Sequence, residues 1–503
     1  MKEIKVENLF VYERKKQNSP PDPQGCILKW IKLGINIRDE NICIMGESGS
    51  GKSTLLNAIS GNLHKTLACT ENSIYKPPHI RFFTLFQDSD LYLSSHYSLG
   101  NYLKLAFGNE KWNAQLLEEL INQLQISVAV PKKDEKKRSR GTIDYWKRLT
   151  KNNLSGGNKQ KFIILLGLIF NPDVMMLDET FTDIDAESRE SIIQKIFDSR
   201  NGIIMVSHDY LLVKRLLDQG RVDKVYNMAD GVLYQEHWSK EYMPDWVQQM
   251  DRHYEAIEKI ISEKDGLPPK KPGHRFRFEK IRQAYGKSKV IHYHPKDPLI
   301  ISTSCNYAVT GENGVGKSTL LKVLMKLEPY KGNISYGDDN GGKSKELVKM
   351  KRVHYMNQNQ LVFQKTGNSL QTGKPLKDFL LSYFKQAGIR EQKIEELKEY
   401  CKIFNLSEDL MTRPFSRLSV GQQRRVMLIR ALLILKKNGC LFIDEAMRGM
   451  DISLKHQLVE FLRQEKYQIF LISHDEQLRK ALCHKELRMK KNSGKTCFEI
   501  INL

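Results

Sequence analysis

The chain has 503 residues, 40% of them hydrophobic, and its 80 Lys and Arg against 59 Asp and Glu give a net charge of +21. This length predicts two or more domains. No run approaches the ~20 apolar residues of a membrane-spanning helix. The N-terminus lacks the apolar centre of a signal peptide, and eight scattered cysteines without a Cys-x-x-Cys pair argue against zinc or iron–sulfur. The positive charge permits contact with nucleic acid, ribosomes or anionic membranes. A lysine-rich solvated surface without a partner would explain the charge equally well.

The first predicted strand, Ile4–Val11, alternates apolar and polar residues and ends at Tyr12. Further along, an apolar run over 42–45 leads into a glycine-rich loop, Gly46–Thr54, and a predicted helix follows. Such a loop turns backbone N–H groups and a helix N-terminus toward phosphate. Lys52 is expected to reach the terminal phosphates and the Ser53 hydroxyl to ligate Mg²⁺. The predicted nucleotide-binding residues are Gly46, Glu47, Ser48, Gly49, Ser50, Gly51, Lys52, Ser53 and Thr54.

The rest of the first half contains short elements that end in polar residues. A predicted strand at Ile80–Phe86 leads to Gln87, and Leu-rich helices follow. A basic loop, Pro131–Gly141, is interpreted as a solvated insertion. A Ser-Gly-Gly sequence then opens a helix, and apolar strands over 174–177 and 203–206 end in Asp-Glu and Ser-His-Asp. The candidate site residues in these segments are Gln87, Ser155, Gly156, Gly157, Asp178, Glu179 and His208.

The second half repeats this order at a nearly constant offset. Lys52 and Lys317 are 265 positions apart, and Asp178 and Asp444 are 266 apart. A repeat this regular indicates duplication of one α/β domain with a mainly parallel sheet. The second nucleotide loop contains Gly311, Glu312, Asn313, Gly314, Val315, Gly316, Lys317, Ser318 and Thr319. The other repeated candidates are Tyr285, Gln358 (with Gln360 as an alternative), Ser419, Val420, Gly421, Asp444, Glu445 and His474.

The segment between the halves is predicted to hold one helix. Apolar residues recur at helical spacing from Trp246 to Ile261, after which a Pro- and Lys-rich sequence breaks the pattern. We expect this helix to pack on the first domain. The predicted domains are residues 1–234 and 274–503, with the helix and linker at 235–273.

The motifs, in this order, resemble those of the ATP-binding cassette (ABC) ATPases over nearly the whole chain. The resemblance implies an α/β fold of two tandem P-loop NTPase domains with mainly parallel sheets and helical signature subdomains. It also implies ATP and Mg²⁺ as cofactors, with Mg²⁺ held by Ser53, Gln87, Asp178, Ser318, Gln358 and Asp444. The general bases would be Glu179 and Glu445, the γ-phosphate contacts His208 and His474, and the adenine-stacking residues Tyr12 and Tyr285.

The Ser-Gly stretches resemble the family signature, which grips the γ-phosphate held by the opposite domain. Lys52 would then face Ser419, and Lys317 would face Ser155. Val420 replaces a signature glycine, which is expected to crowd the phosphate and slow the site built on Lys52. All lysines, carboxylates and switch histidines are present, so we expect two hydrolytic sites.

Three processes are candidates for what the ATP hydrolysis drives. Phe86-Gln87-Asp88 and the following Ser-rich segment look like the glutamine loop of peptide/nickel importer cassettes. This likeness implies an importer subunit that works with separate transmembrane subunits on the cytoplasmic face of a membrane. The charge and the tandem cassettes also fit an ABC-F-type factor that binds ribosomes or RNA, although the linker is short for that family. A cytosolic mechanoenzyme that remodels another protein is the third; no DNA partner is predicted.

Overall fold

The computed structural model contains two compact units, Met1–Gln249 and Met250–Leu503. The residues that the structure describes are 3–13, 26–37, 40–46, 49–86, 92–108, 113–127, 143–154, 156–181, 184, 186–199, 201–263, 274–285, 288–294, 297–302, 304–312, 314–338, 344–363, 375–380, 393–418, 420–435, 439–447, 450–464, 467–492 and 495–503.

The first unit alternates strands and helices after an antiparallel start. Its strands are β1 (Glu3–Glu13), β2 (Cys26–Asn36), β3 (Ile42–Met45), β4 (Leu67–Cys69), β5 (Ile74–Tyr75), β6 (Phe82–Leu85), β7 (Val174–Asp178), β8 (Gly202–Val206), β9 (Lys224–Ala229) and β10 (Val232–Trp238). Its helices are α1 (Lys52–Ser60), α2 (Leu99–Phe107), α3 (Ala114–Gln123), α4 (Ile143–Trp146), α5 (Gly156–Phe170), α6 (Ala186–Phe197) and α7 (Tyr210–Asp218). The helix α8 (Asp245–Ser262) crosses the boundary to the second unit.

The second unit repeats this plan. Its strands are β11 (His274–Tyr285), β12 (Ser288–Tyr293), β13 (Leu299–Ser302), β14 (Tyr307–Gly311), β15 (Lys331–Asp338), β16 (Lys345–Glu346), β17 (Gln360–Val362), β18 (Cys440–Asp444), β19 (Gln468–Ile472), β20 (Lys485–Asn492) and β21 (Lys495–Asn502). Its helices are α9 (Lys317–Leu324), α10 (Arg352–Gln358), α11 (Lys393–Ile403), α12 (Val420–Ile434), α13 (Ile452–Gln464) and α14 (Glu476–Leu482). Short 3-10 turns lie at Lys151–Asn153, Leu347–Lys349, Glu408–Thr412 and Phe415–Arg417.

Each unit contains one mainly parallel sheet and one antiparallel sheet. The parallel sheets have the orders β10-β9-β3-β8-β7-β6 and β17-β18-β19-β14-β20-β21. In each sheet one edge pair is antiparallel, namely β9 with β10 and β20 with β21. Every residue of β3, β7 and β8 is buried, as in β18 and β19. Strands covered on both faces consist of continuous apolar runs, which is why these runs could be located in the sequence.

The antiparallel sheets are built on β1 and β11, the first strand of each unit. They have the orders β2-β1-β4 and β12-β11-β15-β16. Alternate residues of β1 and β11 face an apolar cluster shared with the parallel sheet of the same unit, as Ile4 and Phe276 do. This alternation matches the amphipathic pattern from which Ile4–Val11 was predicted to be a strand.

The amphipathic helix α8 packs on the second unit through its C-terminal half. Ile257 is 1% exposed and belongs to the apolar cluster of that unit, and Met250 and Tyr254 pack at the edge of the cluster. Polar contacts support this packing, since His253 Nδ1 lies 3.1 Å from His456 Nδ1 and Gln477 donates to Glu258 Oε1 at 2.7 Å. For these residues, the expected packing on the first domain is wrong.

In the part of the chain that the structure describes, no helix has both the length and the apolarity required to cross a membrane.

Candidate functional site

The first phosphate loop connects β3 to α1 and is shaped by close backbone contacts. Gly46 has a φ of 142°, and a Cβ added there would overlap the carbonyl oxygen of Met228 on the neighbouring strand. Only glycine fits this position. The buried Lys52 folds back over the loop, where its Nζ donates to Gly46 O at 2.8 Å and contacts Ser50 Oγ at 3.4 Å. The lysine is therefore held where phosphate oxygens would replace these acceptors.

The second phosphate loop has the same geometry between β14 and α9. Gly311 has a φ of 135°, and an added Cβ would overlap the carbonyl oxygen of Met489. Lys317 Nζ donates to Gly311 O at 2.7 Å and to Glu312 O at 3.1 Å. Burial lowers the pKa of Lys317, and the nearby Glu445 and Asp444 oppose this shift. Two independent copies thus place the lysine in the same position.

A buried carboxylate faces the loop serine in each unit. Ser318 Oγ donates to Asp444 Oδ1 at 3.1 Å, and the Ser53 hydroxyl lies close enough to Asp178 to lower the pKa of that carboxyl. Burial raises the pKa of Asp178 to about 6, partly offset by the Ser53 hydrogen bond, and burial also raises the pKa of Asp444. A buried carboxylate whose charge is incompletely compensated, next to a hydroxyl oxygen, matches the hard oxygen ligands that Mg²⁺ uses. These residues fit the metal predicted from the sequence.

The predicted general bases lie directly after these aspartates in a strained backbone conformation. Glu179 and Glu445 have φ values of 49° and 53°, and their N–H groups donate to Val206 O and Ile472 O, each at 3.0 Å. Non-glycine residues rarely adopt positive φ, and where they do the surrounding structure holds them there. The shared hydrogen bond to the next strand fixes each glutamate at the carboxyl end of the sheet.

Each of these glutamates contacts the predicted switch histidine. His208 Nδ1 lies 3.0 Å from Glu179 Oε1, and His474 Nε2 lies 3.4 Å from Glu445 Oε1. A carboxylate beside an imidazole at the end of the sheet can accept a proton from an attacking water, which is general-base chemistry. The structure therefore brings together Lys, Ser, Asp, Glu and His at the phosphate end of each sheet.

Sequence reasoning missed a basic residue that supports the switch loop. Asp209 and Asp475 follow the switch histidines, and each accepts from the backbone N–H of the helix that it caps. Arg189 Nη2 lies 2.6 Å from Asp209 Oδ2, and Lys455 Nζ lies 2.6 Å from Asp475 Oδ2. The two basic residues are 266 positions apart, so the repeat offset applied to Lys and Arg would have revealed them.

Gln358 does not lie at the carboxyl end of a strand, as the Mg²⁺-ligand assignment requires. It ends the helix α10, and the alternative Gln360 opens β17 instead of closing it. A Cβ added at Gly439 would overlap the Gln358 carbonyl oxygen, which places Gln358 at the amino end of β18. Asp444 closes the other end of β18, ~16 Å away at ~3.3 Å per residue. The assignment of Gln358 is therefore wrong.

The register of the sheets identifies the residue that matches Gln87. Leu85 pairs with Leu177 in the first unit, and Val362 pairs with Ile443, which is 266 positions after Leu177. The sequence then continues as Phe-Gln in both halves, so Gln364 corresponds to Gln87. Both glutamines lie outside the described residues. The shared Phe-Gln dipeptide was the sequence signal for this match.

Replacement of Gln364 by Ala should lower turnover at the second site by about 10- to 100-fold, the effect expected for one lost hydrogen bond to a charged group. Gln358→Ala should change it less than about twofold. Both variants are best measured in a Glu179→Gln background, where turnover at the first site is suppressed. A large loss in Gln358→Ala with none in Gln364→Ala would contradict the register match.

The remaining predicted residues fall into two groups. Tyr12 is the penultimate residue of β1, and Tyr285 is the last residue of β11. The signature helices α5 and α12 both begin inside the Ser-Gly stretches, at Gly156 and Val420. Their roles in binding adenine and γ-phosphate remain predictions. Outside the described residues lie Glu47, Ser48, Ser155, Asn313 and Ser419.

Comparison with known proteins agrees with this geometry. The family model described as "ABC transporter" matches residues 28–182 and 299–448. A Sulfurisphaera tokodaii protein described as an ABC transporter ATP-binding protein is 28% identical, covering 87% of each chain. The "Peptidoglycan transport ATP-binding protein YejF" of Agrobacterium fabrum is 25% identical, covering 90% of this chain and 85% of the relative.

A solved structure shares the fold over almost the whole chain. It is the complex of archaeal ribosomal stalk protein aP1 and archaeal ribosome recycling factor aABCE1, with a TM-score of 0.58 and 15% identity, covering 95% of this chain and 88% of that chain. The chain belongs to the ABC transporter family, as a tandem pair of ABC ATPase domains. Its two cassettes bind ATP, and the protein is an ATP hydrolase.

Proposed function

We propose that this protein is the ATP-hydrolysing subunit of a membrane importer whose transmembrane subunits are separate chains. The observation that carries the proposal is the similarity to transport ATP-binding proteins along both cassettes, at 25% identity over 90% of the chain for the A. fabrum relative. That relative's name refers to peptidoglycan transport. The peptide/nickel-importer likeness around Phe86 and Gln87 supports the same class, with a peptide- or sugar-containing cargo.

The proposed mechanism uses the two repeated sets of residues. Each ATP would be held by the phosphate loop of one cassette and by the signature of the other, as in the family. Mg²⁺, when bound beside Ser53 and Asp178 or their counterparts, supplies charge neutralisation for the phosphates. Glu179 and Glu445 would accept the proton of the attacking water while the switch histidines hold them in place. Hydrolysis would reopen the cassettes, and this movement would be transmitted to the membrane subunits.

A second candidate is a ribosome-associated factor, and the net charge of +21 favours it. A polybasic protein associates with ribosomal RNA through contacts that weaken steeply with salt. The importer remains the first proposal because the net charge does not account for the similarity to transport ATP-binding proteins along both cassettes.

Fractionation of source cells that express the double variant Glu179→Gln/Glu445→Gln tests the two functions. The variant should bind ATP without completing turnover, which prolongs the partner-bound state. Recovery with membranes and a co-purifying integral membrane protein is the result expected for the importer. Recovery with ribosomes, lost when salt is raised, would overturn the importer proposal and support the second candidate. A protein in neither fraction would contradict both.

A further inference from the structure

The antiparallel sheet of the second unit is strongly basic, whereas the matching sheet of the first unit is not. The strands β11, β12 and β15 contain six Lys or Arg and two acidic residues. The corresponding long strands β1 and β2 contain three Lys and three Glu. A generally lysine-rich composition would affect both sheets alike, so it does not explain this difference.

The basic side chains gather on the outer face of the sheet. Phe276, Phe278 and Ile281 of β11 are buried in the core. The intervening Arg277 and Arg282 are exposed, as are Lys280 at the bulge and Lys331 at the start of β15. The alternation of a strand therefore turns the apolar residues inward and aligns the cations outward.

One row across three strands has no acidic member. Arg282 pairs directly with His292 of β12 on one side and with Lys331 of β15 on the other. Of these two pairs, Arg282 and Lys331 are like charges directly opposite each other, which destabilises a sheet. Glu279 does not offset them, because it lies 3.3 Å from Arg277 and accepts from Asn333. Among the described residues, no ion pair involves Arg282 or Lys331. The row therefore does not stabilise the sheet by itself, whereas a bound anion would neutralise its charge.

We infer that this outer face, defined by Arg275, Lys280, Arg282 and Lys331, binds the phosphate backbone of a nucleic acid strand. The cations on β11 are spread along one strand, as a linear polyanion requires. Planar guanidinium groups pair with phosphate in two-point contacts. Exposed aromatic residues for base stacking are absent from the described part of this face, so binding should be independent of base sequence.

An anionic membrane is the competing partner, and the face is less suited to it. Interfacial binding inserts apolar side chains between lipid headgroups. On this face the only large exposed apolar side chain among the described residues is Ile300, opposite Arg277. The inference does not depend on the proposed transport role, because it rests on the sheet alone.

Fluorescence anisotropy of the full-length protein with a labelled single-stranded RNA of about 20 nucleotides tests the inference. The variant Arg275→Gln/Arg282→Gln/Lys331→Gln should bind at least about tenfold more weakly. Its log–log salt dependence should be shallower by about two, as expected for about three lost phosphate contacts. A single-stranded DNA of the same sequence should give the same pattern, because only the backbone is contacted.

The control removes the same charge from the first unit in Lys5→Gln/Lys29→Gln/Lys32→Gln, which should weaken binding less than about twofold. Equal losses in the two triple variants would overturn the inference in favour of net charge alone. No RNA binding by the wild type, or binding only to phosphatidylserine vesicles, would also overturn it. Retained ATP turnover shows that the variant Arg275→Gln/Arg282→Gln/Lys331→Gln is folded. If that variant fails to fold, Arg275→Lys/Arg282→Lys, which keeps the positive charges, should retain most of the RNA binding.

Discussion

The double variant Glu179→Gln/Glu445→Gln should lose at least about 100-fold of its ATP turnover, the contribution typical of a general base. Both glutamates are fixed by equivalent N–H hydrogen bonds to the next strand, and each lies within 3.4 Å of a switch histidine. Glutamine has nearly the same shape but accepts no proton at neutral pH. The phosphate loops and Ser–Asp pairs remain intact, so the affinity for ATP should stay within about threefold of the wild type.

Phosphate release under saturating ATP and equilibrium ATP binding measure these two effects separately. The single variants should each retain part of the turnover, and their ratio reports how the two sites share it. A matched control is Glu7→Gln/Glu399→Gln, which changes two exposed glutamates and should leave turnover unchanged. Near-normal turnover in the Glu179/Glu445 double variant would contradict the general-base assignment in both sites.

Those glutamates were predictable because each follows a strand whose residues are all buried. The same reasoning located both phosphate loops, both aspartates and both histidines, since continuous apolar runs of four residues, such as 174–177 and 203–206, are conspicuous in a sequence. The polar residue after such a run lies at the carboxyl end of a parallel sheet, where ligands bind in open α/β folds. The site could therefore be predicted wherever the preceding strand was wholly apolar.

Gln358 was wrongly predicted to be a Mg²⁺ ligand at a strand end because the second unit contains an additional helix before its edge strand. Tyr355 is the only buried residue of α10, and the Met-Asn-Gln that follows it looks like a strand end. The true strand β17 has only three residues and starts with a glutamine. Pairing register, which the sequence does not display, was needed to align Gln364 with Gln87.

Contacts between distant segments also escaped prediction. The apolar spacing of α8 indicates that one face is buried, but it does not say which unit covers that face. The Arg189–Asp209 and Lys455–Asp475 pairs each join a helix to a loop 20 residues later. Such pairs depend on how the helix is placed, and local periodicity carries no information about that.

The variant Asp178→Asn should make the nucleotide-free first unit more stable while it abolishes turnover at the first site. Burial raises the pKa of Asp178 from 3.8 to about 6, so the native state binds its proton more tightly than the unfolded state. This group therefore makes the wild type less stable as pH rises from about 4 to about 6, and the loss persists above pH 6. The protonation free energy lost at pH 7 is on the order of 3 kcal/mol, and asparagine avoids this loss.

Tryptophan fluorescence during urea unfolding measures this effect selectively, because all five tryptophans lie in the first unit. Without nucleotide, the advantage of Asp178→Asn should be largest at pH 7 and should disappear near pH 4. Addition of Mg²⁺ and ATP should reverse the order, since only the wild type has the carboxylate charge that a divalent cation favours. The control Asp444→Asn changes the second unit and should leave the tryptophan transition unchanged. A wild-type protein more stable than Asp178→Asn without ligand at pH 7 would show that the buried charge is compensated by the fold itself.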